Sequence, residues 1–239
     1  MKQARAQRIV KENKQVYNRI AQQFSGTRSH PWGEFTLFEP YVKTGNRVLD
    51  IGCGNGRLAT FLEKKEIHYT GVDNSMALID IAKQAHPAAT FLVSEATELP
   101  FPDQQFDVVC CVATLHHIPS RELRRAAIQE AARVLKPGGY LCLTEWNLWH
   151  AQWWGLLVRY SLKKMLGMNS LDWGDVEKPW KNQSGVVQGK RYLHLFSKGS
   201  LGKLLKQNNL SLIYHQYTAN GIAAPATKGF NLTTVAQKH

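Results

Sequence analysis

Apolar and polar positions alternate through the middle of the chain in short blocks of two kinds. Apolar runs at 47–51, 67–72, 89–93, 106–113 and 140–146 read as strands. Segments at 56–65, 75–85 and 121–135 place apolar residues at helical spacing. The run at 106–113 (FDVVCCVA) is almost continuously apolar, as expected of a strand covered on both faces. The helix at 121–135 stops at Lys136-Pro137-Gly138-Gly139, where proline and glycine end helical pairing. Strand alternating with helix predicts an α/β domain on a mostly parallel sheet. A helix near 3–24 precedes the first strand, and a helix near 198–207 with strands near 210–217 and 230–236 closes the chain. Between 146 and 180 the rhythm breaks, and six of the seven tryptophans lie there: Trp146, Trp149, Trp153, Trp154, Trp173 and Trp180. We divide the single domain into an N-terminal lid-helix region (1–40), a core (41–146), a Trp-rich insertion (147–190) and a C-terminal helix with the last strands (191–239).

Length and composition narrow the class. A chain of 239 residues with 44% apolar content supports one sizeable core and argues against disorder. It has no apolar run of membrane-spanning length, and its first residues, MKQARAQRIVKENK, lack the apolar region of a secretory signal. The four cysteines form no CxxC pair and sit in apolar surroundings, so they read as reduced, buried thiols of a cytoplasmic protein. No clustered carboxylates suggest a metal, and no stable membrane insertion is expected.

Charge changes the picture more. Residues 1–30 carry seven basic residues and one acid; residues 178–239 carry nine basic residues and none. The middle, 31–177, holds fourteen basic and seventeen acidic residues. A slightly acidic core between basic flanks points to a polyanionic partner, nucleic acid first and an anionic membrane surface second.

The chemistry begins in VLDIGCGNG, residues 48–56. A strand delivers Asp50, and Gly52, Gly54 and Gly56 turn the chain into a helix, where a ligand lying on the backbone leaves no room for Cβ atoms. The next strand ends in Asp73, placed to accept both hydroxyls of a ribose. The loop is GxGxG, not the GxGxxG that seats a pyrophosphate. Asp50 would repel a pyrophosphate and suits a ligand carrying an ammonium and a sulfonium.

These residues, with the Ser94-Glu95-Ala96 segment, Leu99-Pro100-Phe101 and the LKPGG turn, resemble the class I S-adenosylmethionine-dependent methyltransferases. The resemblance implies a Rossmann-like, seven-stranded, mostly parallel sheet with flanking helices and an antiparallel strand at one edge. It implies cofactor contacts from Tyr17, Asp50, Gly52, Cys53, Gly54, Asn55, Gly56, Asp73, Asn74, Glu95, Ala96, Val112 and His117, with Glu95 and Ala96 reading the adenine and Tyr17 in a lid. The fourth strand ends in Val112-Ala113-Thr114-Leu115, not in the Asn/Asp-Pro-Pro-aromatic motif of enzymes that methylate exocyclic amines of bases. Cys110 and Cys111 lack the neighbouring proline of a cytosine-C5 nucleophile and read as core.

The flanks narrow the resemblance. Residues 16–32 (VYNRIAQQFSGTRSHPW), 113–125 (ATLHHIPSRELRR), 144–146 (TEW), 190–201 (KRYLHLFSKGSL) and the GFNLTTVAQK block resemble the tRNA wobble-uridine carboxymethyl methyltransferases. That family forms a methyl ester on a carboxymethyl group at C5 of the first anticodon base. The resemblance implies tRNA as partner, with a small activator subunit as in eukaryotic members. By family position Arg28 and Arg191 would hold the acceptor carboxylate, since a guanidinium fork matches that group. Of the His116-His117 pair, His116 would face substrate and His117 the cofactor. Trp146 would stack the base, and Tyr192 and His194, with Arg191, would close over it. The Trp153–Met168 segment has an apolar side with Arg159, Lys163 and Lys164. It reads as a packed lobe helix or as an interfacial membrane helix. Two other functions are compatible with the motifs: a small-molecule or quinone methyltransferase, which would turn over without RNA, and a non-catalytic RNA-binding scaffold, which would not bind cofactor.

Overall fold

The computed structural model describes residues 1–28, 30–182 and 184–239. Helix α1 (Gln3–Gly26) precedes the sheet. Five strands follow, β1 (Arg47–Ile51), β2 (His68–Asp73), β3 (Thr90–Val93), β4 (Phe106–Val112) and β5 (Leu135–Trp146), linked by α2 (Arg57–Leu62), α3 (Met76–Ala85) and α4 (Arg121–Val134). Next come α5 (Trp154–Met165) and the antiparallel hairpin of β6 (Asp175–Lys181) and β7 (Val187–His194). Helix α6 (Lys198–Lys206) and strands β8 (Leu210–Ala219), β9 (Ile222–Ala223) and β10 (Asn231–Lys238) end the chain.

The large sheet runs β3-β2-β1-β4-β5-β10-β8-β9. Strands β1 to β5 pair in parallel, and β10 is antiparallel to both β5 and β8. The long antiparallel strand therefore lies inside the sheet, not at its edge, where the two-residue β9 also runs antiparallel. The chain first lays down β8 and returns through the two-residue β9, so β10 inserts between β8 and β5. The burial pattern agrees: β10 is buried for six consecutive residues, whereas β8 is largely half-exposed.

One face of the sheet packs against α4 and α6 through Ile128, Ala131, Leu201 and Leu205; the other packs against α2 and α3 through Leu58, Leu62, Ile79 and Ala82. Covering both faces explains the continuous apolar run of β4. Helix α3 starts where Ser75 Oγ accepts from the Leu78 N–H at 3.3 Å, and α6 starts in a reciprocal Ser197–Ser200 capping box. Helix α1 buries Ala6, Ile9, Asn13, Val16, Ile20 and Ala21, a single face at three- and four-residue spacing, against β7 and α3. The hairpin was not expected. Its strands, DVEKPWK and VQGKRYLH, have no clean apolar alternation; Val176 and Leu193 pack beside Trp146 and Trp153, while Tyr192 packs on Ile9 of α1 and Leu171.

Candidate active site

Strand order reverses between β1 and β4, and a cavity of about 520 Å³ opens there at the carboxyl ends of the strands. The β1–α2 loop forms its floor. Gly52 has φ +73°, and a Cβ there would stand 2.1 Å from Thr114 Oγ1, so no side chain fits. Gly54 has φ +56°, and a Cβ on it would meet only Phe24, at 3.8 Å, which leaves its inner side open to the cavity. Asp73 organises the loop: its Oδ2 accepts from Gly54 N–H at 3.0 Å and its Oδ1 from Ser75 N–H at 2.8 Å. Burial nonetheless raises its pKa to about 6, with Glu95 adding to the rise.

Asp50 carries the clearest sign of a ligand. Its Oδ2 accepts from the Tyr69 hydroxyl at 2.6 Å, but its buried Oδ1 has no partner among the described residues. Burial pushes its pKa to about 7, against the Tyr69 hydrogen bond. An unpaired buried carboxylate facing a cavity is costly unless a cation arrives. Asn74 Nδ2 donates to Glu95 Oε2 at 3.1 Å and Lys14 Nζ lies 3.9 Å from Glu95 Oε1, holding that carboxylate at one end of the cavity wall. Asp50, Asp73 and Glu95 give the floor an acidic side, and the charge and hydroxyls of S-adenosylmethionine, a cation carrying a ribose, fit it.

The roof has the opposite charge. Arg28, Arg57 and Arg191 all line the cavity, and none has a carboxylate within ion-pair distance among the described residues. Arg191 is 5% exposed, lies over the Trp180 ring at 4.7 Å and leaves its Nε without a hydrogen-bond partner. Its Nη1 donates to Tyr17 Oη at 3.2 Å. Tyr17 meets His117 Nε2 at 2.8 Å, and His117 Nδ1 meets the Tyr192 carbonyl at 3.0 Å. Because a carbonyl only accepts, Nδ1 carries the proton, and the Tyr17 hydroxyl donates to Nε2. Burial, reinforced by His116 and Arg191, holds the His117 pKa well below its ordinary value, so this relay is neutral at His117. Arg28 lies 5.1 Å over Phe24, and burial lowers its pKa. Arg57 lies 4.8 Å over Trp32, and burial lowers its pKa to about 10.

His116 is fully buried. Its Nδ1 is 2.6 Å from Glu145 Oε2, its ring stacks on Trp146 at 4.7 Å, and its Nε2 has no partner among the described residues. Burial, with Arg191 and His194 adding, pushes the imidazole down to about 3, and burial raises Glu145 well above the usual carboxylate range. Glu145 also accepts the Leu115 and His116 N–H groups at 3.1 and 2.9 Å, which fixes the loop after β4.

The cavity collects most of the residues singled out from sequence: Tyr17, Arg28, Asp50, Gly52, Cys53, Gly54, Asn55, Asp73, Asn74, Glu95, Ala96, Val112, His116, His117, Trp146 and Arg191. Three lie outside its lining. Gly56 is the N-cap of α2, at φ +81°, where a Cβ would stand 2.9 Å from the His86 ring. Tyr192 and His194 fall on the face of β7 opposite Arg191, because successive strand residues alternate. There the Tyr192 hydroxyl accepts from Arg124 at 3.1 Å, and His194 Nδ1 pairs with Asp175 Oδ1 at 2.7 Å. Neither closes over the cavity.

Sequence reasoning assigned no role to Arg57, Glu145, Phe24 or Trp180. Arg57 directly follows the glycine loop, the one local signal it offered. Cys53, Cys110, Cys111 and Cys142 are free and buried, and burial raises the Cys53 and Cys111 thiols far from a reactive thiolate. Among the described residues no His, Cys, Asp and Glu group has metal-binding geometry.

A family model described as a methyltransferase domain matches residues 49–143. The chain is 29% identical over 221 residues to the tRNA (carboxymethyluridine(34)-5-O)-methyltransferase of Schizosaccharomyces pombe, covering 85% of this chain and 90% of that protein. It is 38% identical over 134 residues to mouse tRNA (carboxymethyluridine(34)-5-O)-methyltransferase ALKBH8, covering 56% of this chain and spanning only 20% of that longer protein. Among solved structures, an S-adenosylmethionine-dependent methyltransferase from Methanosarcina mazei superposes with TM-score 0.69 at 26% identity, over 84% of this chain and 96% of that one. A Haloferax volcanii methyltransferase, solved with the Trm112 methyltransferase activator, superposes with TM-score 0.67 at 19% identity, over 95% of this chain and 98% of that one, a likeness of fold.

Proposed function

We propose that this chain, which belongs to the class I S-adenosylmethionine-dependent methyltransferases, methyl-esterifies the carboxymethyl group at C5 of the wobble uridine in tRNA. The observation that carries the reading is the buried, carboxylate-free Arg191 facing an acidic floor across one cavity. A buried guanidinium without an anion is as costly as a buried carboxylate without a cation, and an acceptor carboxylate removes that cost. The relatives that bear the carboxymethyluridine name point to the same acceptor.

Bound S-adenosylmethionine supplies an activated methyl group; the chain's own residues supply position. An acceptor carboxylate, with an ordinary pKa near ~4, is already ionised at neutral pH, so no general base is required. Arg191, held by Tyr17 and Trp180, and Arg28 orient it. In the tautomer with its proton on Nε2, Glu145 being protonated against Nδ1, His116 donates to the acceptor carboxylate. Trp146 already stacks on His116 and Trp153, so it bounds the cavity wall and does not serve as a platform for the base. Helix α1 and the β6–β7 hairpin cover the cavity and exclude water. The basic N- and C-terminal flanks attract the phosphate backbone. A small activator subunit, as accompanies the Haloferax neighbour, belongs to the same proposal, as does action in the cytoplasm; no helix among the described residues is long and apolar enough to cross a membrane.

The test is nucleoside mass spectrometry of tRNA carrying 5-carboxymethyluridine after incubation with the chain and S-adenosylmethionine, with and without an activator subunit. Gain of the methyl ester is expected. Cofactor binding without any methylated nucleoside, alongside turnover of a small carboxylic acid or a quinone, would overturn the tRNA assignment.

A further inference from the structure

We propose that the outer face of α5 adheres reversibly to an anionic lipid surface. The helix buries none of its residues completely. Its inner side, Leu156, Leu157 and Tyr160, packs against the cluster of Trp146 and Trp153. On the opposite side Trp154, Val158, Leu162 and Met165 recur at the spacing of one helical face, joined by Leu166, and all five are between 53% and 72% exposed. An unbroken apolar stripe of this kind is not what a solvated lobe helix presents.

Two further features say what covers it. Residues 147–171 contain no Asp or Glu, while Arg159 and Lys163 border the stripe along one side. Neither has a carboxylate within ion-pair distance among the described residues. At the two ends of the helix Trp149 and Trp173 are 50% and 60% exposed, amphipathic rings of the type that settles at a headgroup boundary. Apolar stripe, cationic border and flanking indoles together describe an interfacial helix on anionic lipid. A second copy fits poorly, because symmetric pairing would set Arg159 and Lys163 against their own kind with no acid on either helix to answer them. Nucleic acid would satisfy the cations and stack on the indoles but leave Val158, Leu162, Met165 and Leu166 in water.

The experiment is flotation of the full chain with phosphatidylcholine vesicles and with vesicles containing phosphatidylglycerol. Wild type should float with the anionic vesicles, less at high salt. The double variant Leu162→Glu/Met165→Glu, at exposed positions outside the cofactor cavity, should partition at least about tenfold more weakly with S-adenosylmethionine affinity unchanged. Failure of the wild type to float, or equal flotation of wild type and variant, would overturn the proposal. So would a wild-type dimer, seen by sedimentation, that the variant dissolves, or a loss confined to tRNA affinity.

Discussion

Arg191 on β7 donates to the hydroxyl of Tyr17 on α1 across 3.2 Å, tying the hairpin to the helix directly above the cavity. The same hydroxyl donates to His117, so one oxygen joins the two roof elements to the loop after β4. Asn13 repeats the connection, accepting from Tyr192 N–H at 3.0 Å and donating to the His117 carbonyl at 3.1 Å. The guanidinium is thus aimed by the Tyr17 hydroxyl and by the Trp180 ring, with no ion pair among the described residues that an incoming carboxylate would have to break.

Tyr17→Phe removes the bridging oxygen and leaves the ring packed against Phe24. His117 Nε2 then loses its donor and Arg191 loses its tether. A stability loss of about 1–2 kcal/mol is expected, typical of buried hydrogen-bond partners left unmade. Acceptor kcat/KM should fall by about tenfold as the guanidinium loses its fixed position. Thermal melting and steady-state kinetics on tRNA check both. Unchanged kinetics would mean that Trp180 alone holds Arg191 in place.

Arg191→Lys keeps the charge but not the fork. If Arg191 binds the acceptor carboxylate through two parallel donors, the lysine variant should lose about tenfold or more in kcat/KM for tRNA. Its S-adenosylmethionine affinity, measured by calorimetry, should stay within about twofold. An equal loss in both quantities would make Arg191 a determinant of roof structure and not of acceptor binding.

The contrast between Arg191 and its neighbours shows where sequence reasoning ran out. The parallel strands were legible because burial on both faces forces apolar runs such as 106–113, and the cavity floor was legible because Gly52 and Gly54 turn at positive φ while the Asp73 carboxylate accepts the N–H groups of Gly54 and Ser75. The hairpin was not, because β6 and β7 are held by α1 and by a few tryptophans, not by a patterned core of their own. With 187–194 unread as a strand, nothing in the sequence said that Arg191 and Tyr192 must face opposite ways. The cavity receives the first, while the second turns to Arg124. The position of β10 inside the sheet was equally hidden, since strand order depends on the return through β9 and not on local pattern.

Asp50 predicts a pH dependence of opposite sign for stability and for binding. Its pKa is raised in the folded chain to about 7, above its unfolded value, so its contribution to stability is present at low pH and is lost as pH rises through about 7. Binding a cation needs the ionised form, so S-adenosylmethionine affinity should fall as pH drops below about 7, with proton release on binding near pH 6. Asp50→Asn should remove the part of both effects centred near pH 7 and weaken binding, leaving the smaller contribution of Asp73, whose pKa burial raises to about 6. His117 and His194, whose pKa values burial lowers, run the other way in stability. The difference between wild type and variant therefore isolates the carboxyl. Calorimetry in buffers of different ionisation enthalpy reads the proton release, and its absence would remove Asp50 from the ammonium site.

Gly189 tests whether the roof acts as one piece. It lies on β7 where the hairpin crosses α1, and a Cβ there would stand 2.6 Å from a methyl of Val16. Arg19 Nη1 donates to the Gln188 carbonyl at 3.0 Å beside it, so the strand cannot shift without losing that bond too. Gly189→Ala should cost about 1–3 kcal/mol by overpacking and should lower tRNA turnover, by lifting Arg191 away from Tyr17. Val16→Ala makes room. The double variant Gly189→Ala/Val16→Ala should recover most of the lost turnover, with a coupling energy of about 1 kcal/mol or more in a double-mutant cycle. Additive losses would show that the hairpin and α1 move independently, and that Arg191 is positioned by β7 alone.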